Sequence, residues 1–263
     1  MLRVELGKAI HRVRTWVFAL GLAGLALIPV IFPPTDVGQG GPPFLDLITR
    51  NGLFAALVAV VIVQPFFLPL GTGLLSGEAI AGEASAGTLR YLIARPTGRR
   101  RLLLSKFAAV MTQVAAAIGW LLLVGLIAGS IRFGLGPLPT LSGTTIPTGA
   151  AFVRVIASGV YILLGMAGLA SIGLLFSTIT NSGPGATVAT VAVAIASQIM
   201  DNLSALHAIH PYLLSHGWLA FADLFRSPVA WDGMERGVLL MAVYTAVFLA
   251  LGLWVISRRD ITS

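Results

Sequence analysis

Six stretches of this chain are apolar over about the length needed to cross a lipid bilayer, and that feature removes most folds from consideration. A helix needs roughly 20 apolar residues to cross a hydrocarbon core about 30 Å thick. The qualifying stretches are approximately 16–33, 53–75, 104–130, 152–177, 184–200 and 237–257. Each is continuously apolar, whereas barrel strands alternate apolar and polar residues, so the runs read as helices. Composition agrees: 57% of the residues are hydrophobic and 10% charged, against about 25% charged in soluble domains. The expectation is an all-α integral membrane protein with six transmembrane helices, forming one membrane domain over 1–263.

Lysine and arginine orient the spans. Arg3, Lys8, Arg12 and Arg14 precede the first; Arg90, Arg95, Arg99, Arg100, Arg101 and Lys106 lie between the second and third. Arg258 and Arg259 follow the last, while the other side carries few basic residues, offset by Asp36, Asp46, Asp201, Asp223, Asp232 and Glu235. The positive-inside rule then puts both termini and the loop after the second span in the cytoplasm. The first span is not read as a cleavable signal, because its apolar core runs into IPVIFPPTD without a small-x-small site.

Two flanking segments have their own character. In 1–15 the residues Leu2, Leu6, Ile10 and Val13 recur at helical spacing, and Val17 continues the stripe, with the basic residues elsewhere. This fits a basic amphipathic helix on the cytoplasmic leaflet, and equally an ordinary topogenic flank. Residues 201–236 are semi-apolar and broken by Pro211, Gly217 and Pro228. Short outer re-entrant helices between the fifth and sixth spans fit that segment, with Trp218 and Trp231 at headgroup depth.

Several chemistries lack their residues. Lys106 and Arg154 sit at the mouths of the third and fourth stretches, and no Asp, Glu, Lys or Arg lies deeper in the six cores, which argues against a buried proton relay. The only Gly-Lys pair, Gly7-Lys8, lacks the surrounding P-loop pattern, so the chain carries no nucleotide engine. There is no cysteine, and His207, His210 and His216 complete no ligand pattern. A catalytic site, a bound metal and a nucleic-acid partner are therefore not expected.

The charged stretch GEASAGTLRYLIARPTGRRRLLLSK remains to be explained. Within a cytoplasmic loop over 76–103, Ser76 is placed to cap a short helix bearing Glu78 and Glu83. Gly87 suits its C-terminus, and Thr88 opens a second turn in which Leu89, Leu92 and Ile93 form an apolar face beside Arg90. Pro96 ends that turn, and Thr97 caps the helix that becomes the third span. A short rigid helix joined to two spans has the form of a lever that a partner can grip.

The residues Glu83, Gly87, Thr88, Leu89, Leu92, Pro96, Arg99, Leu103 and Lys106 follow the pattern E-x-x-x-G-T-L-x-x-L-x-x-x-P-x-x-R-x-x-x-L-x-x-K. That pattern closely resembles the cytoplasmic loop of ATP-binding-cassette type 2 permeases. The close RRDITS and the Trp-bearing segment before the last span are similar to that family too. The resemblance implies a permease of the cell membrane of a bacterium or archaeon, pairing with a second permease copy as homodimer or heterodimer. It further implies two P-loop ATPase subunits, which carry the ATP and magnesium; the chain itself needs no cofactor. The cargo expected is a hydrophobic or amphipathic compound such as a drug, antibiotic or lipid. Polysaccharide or sodium export shares this architecture, and a non-transporting membrane scaffold is the reading from another class.

On this resemblance the coupling residues are Glu78, Glu83, Gly87, Thr88, Leu89, Arg90, Leu92, Pro96 and Arg99, and Glu83→Lys is expected to uncouple a folded permease. Along the second and fifth spans, Gln64, Thr72 and Gln198 are the pathway candidates, since a glutamine in lipid is costly. Thr187, Thr190 and Ser197 read as helix packing, and Gly21, Gly24, Gly165 and Gly168 as surfaces for close approach.

Overall fold

The computed structural model describes residues 7, 13–33, 44–85, 87 and 98–258. Seven α-helices organise them: α1 Val13–Ile31, α2 Leu53–Val63, α3 Phe67–Ser85, α4 Arg99–Phe133, α5 Thr148–Ile179, α6 Gly183–Asp201 and α7 Trp231–Arg258. Four of them, α4 to α7, are long and apolar enough to cross a membrane, and the bent pair α2–α3 adds a fifth span if taken as one. The apolar part of α1, Thr15–Ile31, is shorter than a full span. The protein is thus helical and built for a bilayer. Most of the first twelve residues, where the amphipathic helix was expected, lie outside the described part, as does the close from Arg259.

The second apolar stretch, whose Pro65 and Pro69 are expected from the sequence to kink it and free backbone carbonyls, is two helices bent by 60°. Its break falls at Gln64–Pro65–Phe66, and the local chemistry explains it. Pro65 has no N–H to give Val61, and Pro69 has none to give Pro65. The Pro65 carbonyl so released accepts instead from Gln198 Nε2 on α6, at 2.7 Å. Beyond the break the helix runs on to Ser85, so no separate short helix starts at Ser76. Ser76 is no cap: it lies mid-helix and donates to the Thr72 carbonyl at 2.7 Å. It is held there by packing, because α3 is sandwiched between α5 and α6.

Glycines set these contacts. On the α6 side, a Cβ on Gly77 would lie 2.6 Å from the Thr187 nitrogen, and one on Gly73 would lie 2.9 Å from Val191. With Pro65 against Gln198, these pairings give one antiparallel register along the whole of α3 and α6. On the α5 side, a Cβ on Gly173 would meet Ser76 Oγ at 2.0 Å. Four residues on, the Ser177 hydroxyl enters the α3 ladder itself. It donates to the Gly77 carbonyl at 2.7 Å and accepts from the Ile80 and Ala81 nitrogens at 3.0 and 2.8 Å. A side chain inserted between an i and i+4 pair in this way bends a helix locally.

At the core, ten of the eleven α2 residues are buried, enclosed by α1, α4 and α5. Its antiparallel seam with α4 again depends on missing side chains. A Cβ on Gly129 would stand 2.3 Å from the Gly52 carbonyl oxygen, and one on Gly125 2.8 Å from the Ala56 Cα. Between α4 and α5 the chain forms a two-residue antiparallel ladder, Leu138–Pro139 with Thr145–Ile146.

The 201–236 segment contains two 3₁₀ helices, Ser204–Tyr212 and Ala220–Phe225, in place of a span. Trp231 is exposed, but Trp218 is not at a surface: it is 3% exposed. Its ring packs about halfway along α5, where a Cβ on Gly165 would be 3.2 Å from it. The preceding Gly217 carbonyl accepts from Tyr161 at 2.7 Å. A large aromatic ring gains more from filling the groove at Gly165 than from an interface. Gly165 and Gly168 are therefore covered within the chain, by Trp218 and by Leu214 and Tyr244, whereas Gly21 and Gly24 have open space around them.

Gly129→Leu should destabilise the fold by more than the about 1–3 kcal/mol of ordinary overpacking, because backbone must move. Gly21→Leu should not destabilise it, since no neighbour crowds the site and losing a mid-helix glycine gains up to about 1 kcal/mol of helix propensity. Thermal unfolding of the two variants in the same detergent checks the contrast.

Candidate functional site

The described ends of the charged stretch lie where α3, α4, α5 and α7 end or begin, over a small apolar cluster of Ile80, Leu102, Leu103, Leu174 and Ile256. Each of these helices contributes at least one side chain, so their ends are held together before any charge is considered. α3 closes after Ser85, and Gly87 adopts a left-handed backbone, φ 68°. Its N–H bonds the Ala84 carbonyl at 3.1 Å, as expected of a glycine that ends a helix. Thr88, Leu89, Arg90, Leu92 and Pro96 lie outside the described residues, as does Thr97. The next helix opens at Arg99 behind Gly98.

Glu83 and Lys106 face each other across this junction and form an ion pair, with side chains 19% and 7% exposed. The resemblance assigns Glu83 to a partner protein, and Lys106 enters the sequence pattern only as one of its basic residues. They lie 23 residues apart on different helices, so no local signal announced the pairing. In low dielectric the desolvation of two such charges is repaid only when they meet. The pair therefore ties the end of α3 to the start of α4. Glu83→Lys would set two ammonium groups against each other, so it is not the purely uncoupling change that the sequence suggests.

Arg99 likewise turns inward. Its Nη1 donates to the Ser257 carbonyl at 2.8 Å and the Ile256 carbonyl at 3.3 Å. These are unsatisfied carbonyls of the last turn of α7, and a cation there also complements the helix dipole. Arg258, one residue further, lays its guanidinium 4.4 Å from the centre of the Trp254 ring. Glu78 sits at the start of α6, where a Cβ on Gly183 would be 3.3 Å from its Cγ. A carboxylate beside the first turn of a helix is favourable, and Ser182 caps that turn by accepting from the Gly185 nitrogen at 3.1 Å. Together Glu78, Glu83 and Arg99 connect the ends of α3, α4, α6 and α7.

Two of the pathway candidates, Gln64 and Gln198, meet at the break in the second stretch, and Thr72 lies further along α3. Gln64 is 1% exposed and donates from Nε2 to the Trp218 carbonyl at 2.8 Å. Gln198 is half-buried and holds the Pro65 carbonyl, as described above. Thr72 is buried, and its hydroxyl has no hydrogen-bond partner among the described residues. Thr190 bonds back to the Ala186 carbonyl at 2.7 Å, and Ser197 pairs with Ser215 at 2.8 Å. The two glutamines thus link the break to the buried Trp218 segment and to α6. Among the described residues no group of three or more His, Asp or Glu is arranged to hold a metal ion.

Replacing Glu83 by Gln should lower stability by up to about 3 kcal/mol, the scale of removing one partner of a buried ion pair. The exchanged pair Glu83→Lys with Lys106→Glu should recover most of that loss. Unfolding temperatures of both single variants and the double variant measure it; a double variant no more stable than the singles would remove the pair from the account.

A family model described as a protein of unknown function (DUF2705) matches residues 39–262, and the chain belongs to that family. No curated protein matches the chain.

Proposed function

We propose that this DUF2705 member is the membrane-spanning permease of an ATP-driven exporter of the ATP-binding-cassette type 2 kind. It moves a hydrophobic or amphipathic compound out of the cell with energy from a separate ATPase. One observation carries the reading. The loop whose residues resemble the coupling segment of that family joins α3 to α4, whose ends are locked by Glu83 and Lys106. Arg99 extends the lock to α7. A force applied to such a loop reaches three helices at once and is not dissipated in slack.

In this reading the loop faces the cytoplasm of a bacterial or archaeal cell. Leu89 and Leu92 seat it on a P-loop ATPase, Thr88 and Arg90 border that contact, and Pro96 ends it. Two ATPase subunits, holding ATP and magnesium, act on two permease copies. Glu83 and Arg99 transmit force instead of touching the partner. Gln64, Thr72 and Gln198 lie at the bend that would convert loop movement into a change of the pathway.

The tagged protein should co-purify with a P-loop ATPase and, in vesicles, support ATP-dependent flux of apolar cations or antibiotics. Leu89→Asp combined with Leu92→Asp should weaken the association about tenfold or more, as for the loss of central contact residues, with unfolding temperature unchanged. A folded protein that carries no ATPase and gives no flux would leave a scaffold as the reading.

A further inference from the structure

α3 and α6 lie against each other from one end to the other. Gly82 meets Gly183, Gly77 meets Thr187 and Gly73 meets Val191, and the Pro65 carbonyl meets Gln198 beyond them. Helices packed this closely transmit a displacement as one body. At the end away from Glu83, two adjacent residues of α6 each hold a different element. Gln198 Nε2 donates to the Pro65 carbonyl at 2.7 Å. Ser197 Oγ accepts from the Ser215 nitrogen at 3.0 Å and lies 2.8 Å from the Ser215 hydroxyl. Gln64 closes the third side, its Nε2 donating to the Trp218 carbonyl at 2.8 Å. The result is a ring. It runs from Gln64 to its neighbour Pro65, across to Gln198 and Ser197, across again to Ser215, and along the chain to Trp218, which returns to Gln64.

Every tie in the ring is neutral, and a neutral hydrogen bond contributes little by itself. Closure is what gives the ties their effect, since no corner can move without stretching two of them. Gln64, Ser197 and Ser215 are all buried, so water does not compete for their bonds. Gln64 Oε1 and Trp218 Nε1 are buried too and have no hydrogen-bond partner among the described residues. A buried polar atom without a partner is costly, and that cost ends when water reaches it. Water is close by: His216 and Leu219, on either side of the Gly217–Trp218 step, are exposed. Opening the ring would thus lose weak bonds and hydrate two unpaired atoms. α5 supplies the surface it closes against, through Tyr161 on the Gly217 carbonyl and the groove at Gly165.

We propose that the break at Gln64–Pro65, the end of α6 and the segment Ser215–Trp218 form one cooperative latch that opens and closes as a whole, with the α3–α6 pair as the rod that moves it. The consequence for transport rests on the exporter reading above. Force entering through the loop after Ser85 passes along the rod and arrives, at the outer end, at the segment that Ser197 holds. That segment, and not the bend alone, is then the part that yields when cargo leaves.

Hydrogen exchange of the full-length protein in lipid nanodiscs, with neither ATP nor cargo, tests the latch. Amides that open together share one opening free energy, so weakening any tie speeds exchange at every member by the same factor. Gln64→Met keeps the side chain's length and removes its donor; Ser215→Ala removes one hydroxyl. Each should speed exchange in 64–70, 196–202 and 213–219 alike, roughly three- to tenfold, the scale of one neutral hydrogen bond, while the middle of α5 stays protected. The remote readings decide: 196–202 for Gln64→Met and 64–70 for Ser215→Ala, where the altered side chain has no contact. Acceleration limited to 213–219 would mean independent ties and overturn the proposal. Should Gln64→Met disturb α5, the smaller change Ser215→Ala decides alone. Independent ties would leave the exporter reading standing, and a missing ATPase would leave the latch standing.

Discussion

Close backbone contact between helices is the constraint on which the structure depends. In a bilayer, lipid tails are as apolar as leucine, so burial from water does not drive helices together. What remains is packing and the hydrogen bonds that packing permits. The seams of α2 with α4 and of α3 with α5 and α6 show how this is met. Gly52, Gly77, Gly125, Gly129 and Gly173 each occupy a point where a Cβ would come within 3.0 Å of a neighbour. Close approach then lets Ser177 enter the α3 ladder and lets Gln198 reach the carbonyl that Pro69 leaves free.

The polar ties are distributed unequally between the two ends of the bundle. The Glu83 end has a buried ion pair and an arginine on the last turn of α7, over a shared apolar cluster. These contacts hold helix ends together. The other end is fastened by neutral groups, Tyr161 on the Gly217 carbonyl, Gln64 on the Trp218 carbonyl and Ser197 with Ser215, and by Arg154 on the Leu224 carbonyl. Its ion pairs among the described residues, Arg226 with Asp223 and His216 with Asp201, are partly exposed.

Much of this was legible from residue order. The apolar stretches marked most helices to within a few residues, but α3 runs on to Ser85, well past the second stretch, and α7 opens at Trp231, before the last one. Pro65 and Pro69 signalled the bend, since each removes a backbone donor whatever surrounds it. Gly87 marked a helix end for the same local reason, its tolerance of positive φ. What misled was Ser76, which has the composition of a cap. Local preference at such a residue is worth about 1 kcal/mol, less than continued packing of α3 between two neighbours. Trp218 misled similarly, because interface preference is an average and the groove at Gly165 is particular.

The sequence by itself determined that this is a helical membrane protein, where its second span must bend, and that its charge collects on one loop. Those follow from hydropathy, proline chemistry and local composition. Only the tertiary structure decided what each polar residue touches. Glu83 meets Lys106, Arg99 meets the end of α7, Gln198 meets Pro65, and His216 meets Asp201. Such partners lie on different helices, and which faces meet depends on where glycines allow backbones to close. That choice is made by the packing of the whole bundle, so no single stretch of sequence contains it.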